Sequence, residues 1–100
     1  MNVRDTERFQ AALDADDAEL QLYKLAEQMK RENLSQVEIW YRFAERLKLA
    51  PYGDDDRKDY DALADTMDCI IGFCAMDAAL FPHYLTNDEI EEYQEIKARA

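Results

Sequence analysis

Asp88, Glu91, Glu92 and Glu95 stand in the stretch NDEIEEYQEI, where five of ten residues are acidic and none is basic. On a helix these four fall within an arc of about 100°. Such a row sets carboxylates ~5–6 Å apart along one face, which approximates a nucleic-acid backbone in charge and spacing. Its chemistry is acceptance. Carboxylates take hydrogen bonds from lysine and arginine, and arginine can give two at once. Asp61, Asp65 and Asp68 repeat the arrangement on the outer face of the preceding predicted helix. Tyr93 beside the later stripe and Tyr84 before it fit either interface anchors or core residues. Like charges at these spacings cost an isolated helix ~0.2–0.5 kcal/mol per pair, so nearby bases of the fold or of a partner must offset them.

Little else in the chain could do chemistry. His83, the single histidine, lies between Pro82 and Tyr84 and reads as a structural hydrogen-bonder. Asp77 lies near the apolar side of its predicted helix, where a buried carboxyl needs a partner and takes a raised pKa. One such acid is no active site. No glycine-rich phosphate loop, nucleophile elbow or histidine pair at metal spacing occurs. DDDRKDYD lacks the sixth-position glycine and final glutamate of a calcium loop. A non-enzymatic protein without cofactor or metal is expected.

The elements that must position these residues are helices. Glycines and prolines number two each. Three capping boxes predict helix starts: Asp16 with Glu19, Ser35 with Glu38, and Thr86 with Glu89. Leu34 with Ile39 and Leu85 with Ile90 add hydrophobic staples. The predicted helices cover about 6–14, 17–32, 36–50, 56–80 and 87–98. Their expected inward residues are Phe9, Ala12 and Leu13; Ala18, Leu22, Leu25 and Met29; a wide arc from Val37 to Leu47; and Tyr60, Leu63, Met67, Ile70, Ile71 and Cys74. Asn33 suits a helix C-terminus. The wide arc makes the third helix central. The fold expected is all-α, a compact orthogonal bundle of about five helices in a single domain over residues 1–100, monomer or homodimer.

Cys69 and Cys74, about 140° apart on one helix, cannot pair there and read as buried, reduced thiols. No signal-peptide core opens the chain, so a cytoplasmic location is expected. The longest apolar run, residues 69–81, is too short to span a bilayer.

The net charge is −11, distributed unevenly. Residues 1–58 hold 13 acids and 10 bases, whereas residues 59–96 hold 10 acids and no lysine or arginine. This balance argues against general binding to nucleic acid or anionic lipid. Glu27–Arg31 and Glu38–Arg42 fit supportive pairs on the second and third helices, and the last two helices are expected to contain none. A bland reading also stands: Asp88 and Glu89 suit a first helical turn, and other acids could face bases of the first three helices.

In length, and in its GDDDRKDYDALADTMD and NDEIEEYQEIKARA segments, the chain resembles small acidic phage-encoded inhibitors of host defence, of anti-CRISPR and anti-restriction type. That resemblance implies inhibition of a basic, nucleic-acid-handling partner and transfers no residue roles. One rival is a helix-turn-helix regulator: NLSQVEIWYRF resembles part of that motif, in a region carrying Lys24, Lys30, Arg31, Arg42, Arg46 and Lys48. Trp40 and Ala44 depart from the motif. A second rival is a dimerising subunit using Leu20 and Tyr23, which lie off the main apolar face. The expectation carried forward is a binding protein whose partner-facing residues are Asp61, Asp65, Asp68, Asp88, Glu91, Glu92, Tyr93 and Glu95.

Overall fold

The computed structural model describes residues 3–50, 57–72, 81 and 85–99; these form five helices and no strand. In order they are α1 (Val3–Asp14), α2 (Ala18–Arg31), α3 (Gln36–Leu47), α4 (Lys58–Ile71) and α5 (Asn87–Arg99). The architecture is an all-α bundle, as expected.

Two of the three starts form as the capping boxes predict. The Ser35 hydroxyl accepts from the Glu38 amide at 3.2 Å, and the Thr86 hydroxyl from the Glu89 amide at 3.3 Å. The first box does not form. The N-cap of α2 is Asp17 rather than Asp16, and its side chain makes no cap bond. Its carboxylate accepts from Gln21 Nε2 at 3.1 Å instead, while Glu19 is engaged with Asp65 across to α4.

Helix ends follow backbone handedness. Asn33 has φ 67°, the Leu34 amide bonds to the Met29 carbonyl, and the Asn33 amide to that of Lys30. This is the Schellman arrangement, which asparagine tolerates. Gly72 ends α4 with φ 99°, a conformation glycine adopts without a Cβ clash. The helix predicted to reach residue 80 therefore stops at Ile71. Cys74, Asp77, His83 and Tyr84 lie outside the described residues. Cys69 is half-buried and disulfide-bonded, which corrects the expected buried thiol. The 140° separation presumed one unbroken helix, and the thiol argument for a reducing compartment falls with it.

Phe9, Leu22, Met29, Ile39, Phe43, Leu63 and Ile70 are fully buried. Burial of such a side chain contributes ~1.5–3 kcal/mol. Phe9 meets Phe43 edge-on at 4.9 Å between ring centres, joining α1 to α3. The α3 helix packs on α2, α4 and α5, but of its wide apolar arc only Ile39 and Phe43 are buried, and it shares the centre with α2, which packs on α1, α3 and α4. The buried Gln36 donates from Nε2 to the Ile70 carbonyl at 2.9 Å, locking the start of α3 to the end of α4. The α5 helix differs from the rest: none of its residues is buried. No described helix is long and apolar enough to cross a membrane.

Candidate functional site

Two features position the α5 carboxylates. At its start, Leu85 is buried and its amide donates to the Ile71 carbonyl at 3.1 Å, tying the entry of α5 to the end of α4. Further along, Tyr93 and Lys97 fasten one flank to α3. The Tyr93 hydroxyl donates to Glu38 Oε1 at 3.3 Å, and its ring packs on Tyr41 at 5.4 Å. Lys97 Nζ lies over the Tyr41 ring at 4.8 Å and reaches Glu45 at 4.0 Å. Burial, then the charge of Glu38 and the hydrogen bond to it, push the Tyr93 pKa up to about 12 against a smaller opposing pull from Arg42. Tyr93 thus anchors α5 on α3.

With that flank fixed, Asp88, Glu91, Glu92 and Glu95 are all exposed. None of them forms an ion pair among the described residues. The bases of α1–α3 do not reach this stripe, and the one base that α5 brings to α3, Lys97, is directed to Glu45 and the tyrosine rings.

The α4 row fares differently. Asp61 is exposed and pairs with Arg57 at 3.7 Å, four residues earlier, so the expectation of no such pair here is corrected. Arg57 is the N-cap of α4 and sits one turn from Asp61. Asp65 meets Glu19 of α2: their hydrogen bond and mutual charge, aided by burial and by Asp61, raise the Glu19 pKa. Asp68 is exposed and forms no ion pair among the described residues. The sequence-predicted residues therefore divide into an unpaired α5 stripe and a partly engaged α4 row. Among the described residues no group of three acids, histidines or cysteines could hold a metal ion.

Of the basic residues of α1–α3, Arg8, Lys24 and Arg31 line one open recess between α1 and α2, and several others are engaged within the fold. Arg42 Nη1 donates to Asp5 at 2.6 Å, and the Asp5 side chain is only 4% exposed. Arg46 Nη1 is buried. Lys30 Nζ lies over the Phe81 ring at 4.8 Å. Arg8 and Arg4 converge on Glu32 at 3.1 and 3.2 Å, clamping α1 to the end of α2. Burial raises the Glu32 pKa, but the two arginines and Gln28 outweigh it and leave the carboxyl below its ordinary value. Leu20 is exposed, and Tyr23 packs on the core while lining a shallow recess with Leu20, Asp65, Thr66 and Cys69.

Alongside the α5 stripe runs a groove of about 320 Å³ between the first turn of α3 and α5. Val37, Leu85, Tyr93 and Ile96 give it apolar walls, and Glu89 and Glu92 bring the charge. No protein family, curated protein or solved structure matches the chain.

Proposed function

We propose that this is a non-enzymatic binding protein that captures, and thereby inhibits, a basic nucleic-acid-handling partner through the carboxylates of α5. The observation that supports this reading is the α5 stripe itself. Four exposed acids lie within one ~100° arc, and no described base neutralises them. Intramolecular repulsion there is relieved when arginines and lysines of a partner arrive. Binding of this kind is steered by charge and weakened by salt. The partner's nucleic-acid channel has matching chemistry, because it is already lined to accept a row of anions.

A DNA-binding regulator finds less support. Its key bases, Arg42 and Arg46, are half-buried, and Arg42 is committed to Asp5.

The test is capture from host lysate at low and high salt, comparing the native chain with a Glu91→Lys, Glu92→Lys, Glu95→Lys variant. None of the three residues is buried, so the variant keeps its helical circular dichroism. Salt-sensitive capture of a nucleic-acid-binding complex by the native chain, reduced at least ~10-fold in the variant, is the expected result. Equal capture by both chains removes α5 from the proposal.

A further inference from the structure

Around α5, at about 100° per residue, Glu91, Glu95, Asp88 and Glu92 occupy one arc, and Ile96, Glu89 and Tyr93 the arc beside it. The second arc is the wall of the α3–α5 groove, and Glu92 belongs to both surfaces. Stripe and groove therefore form one continuous face, with apolar walls and a carboxylate rim. Within α5 the wall runs from Glu89 to Ile96, about two helical turns or ~10 Å. Ile96 is 56% exposed although it faces the groove. No lysine or arginine lines the groove among the described residues.

We propose that this face is a docking site for a basic amphipathic helix of the partner. Its apolar side chains seat between Val37, Leu85 and Ile96, and its arginines or lysines reach Glu91, Glu92 and Glu95. The inference rests on the reading above and adds the form of the ligand. Charge selects a cationic occupant, since every charged residue of the rim is acidic. Period selects a helical one. Carboxylates recurring every three or four residues meet cations that recur at the same interval on an opposing helix, and anchors at that interval are how an amphipathic helix fills a groove. A disordered polycation would use the rim and leave the apolar walls open to water.

Two fluorescent synthetic peptides of identical lysine and leucine content test this by anisotropy. In one, the leucines share a helical face flanked by lysines; in the other, the order is scrambled. The patterned peptide is expected to bind at least ~10-fold more tightly. An Ile96→Asn variant, altered only at an exposed position and without change of charge, should bring the patterned peptide down to the scrambled level and leave the scrambled one unchanged. Equal, salt-sensitive binding of both peptides, unaffected by Ile96→Asn, overturns the groove and spares the acidic stripe. Failure of both peptides to bind overturns the groove and the stripe together. A third peptide, with glutamates in place of the lysines, must not bind. If it binds as well as the patterned one, charge does not choose the ligand and the proposal fails.

Discussion

At the scale of single residues, the most consequential contact is Arg42 with Asp5. The carboxylate is almost wholly buried, so losing its guanidinium would take the ion-pair partner from a charge held away from water. Arg42→Ala is expected to destabilise the fold by about 2 kcal/mol, less than the ~3–5 of a fully buried pair because Arg42 keeps some exposure. Denaturant midpoints measure it. Arg4→Ala, on the exposed side of the Glu32 clamp, should change stability by no more than ~0.5 kcal/mol. Sequence reasoning missed the Asp5 pair for a physical reason. The partners lie 37 residues apart, and only the packing of α1 on α3 brings them together. Arg57–Asp61 was missed as well, although its spacing is local: Arg57 caps α4 one turn before Asp61, and no pair was expected there.

At the scale of elements, local signals carried far. Ser35, Thr86 and Asn33 each act within four residues of themselves, and each marks a helix boundary where it is found. Gly72 is just as local. It was passed over because the apolar period continues beyond it, and backbone handedness ends α4 there regardless of that pattern. The attachment of α5 was illegible, because Tyr93 fits a buried, an anchoring or a docking role equally well until Glu38 and Tyr41 are beside it. That attachment has a pH signature. The Tyr93 pKa is raised from its ordinary value near 10 to about 12, so the stabilisation it provides is complete below ~10 and is lost as pH rises through about 12. Tyrosinate absorbance should show a late-titrating group, and Tyr93→Phe should abolish it. The same change should cost about 1 kcal/mol in the docking of α5.

At the scale of the whole molecule, a net charge of −11 is carried with acids set against acids, as where Glu19 of α2 meets Asp65 of α4. The folded Glu19 pKa lies above its unfolded value, so this group favours folding in acid, and that benefit disappears as pH rises through the folded pKa. At neutral pH the pair is a net repulsion. Glu19→Gln should therefore raise stability at about pH 7, by no more than ~0.5 kcal/mol after solvent screening, and the gain should vanish near pH 4. Chemical denaturation at the two pH values measures the difference. The all-α class and most of the core were legible because helical periodicity is written locally. Whether the fold neutralises its acids depended on where α5 came to rest, and no local pattern records that. Because α5 contributes no buried side chain, substitutions along its outer face are uncoupled from folding. The protein can therefore explore new recognition specificities there, residue by residue, while its scaffold stays under a separate constraint.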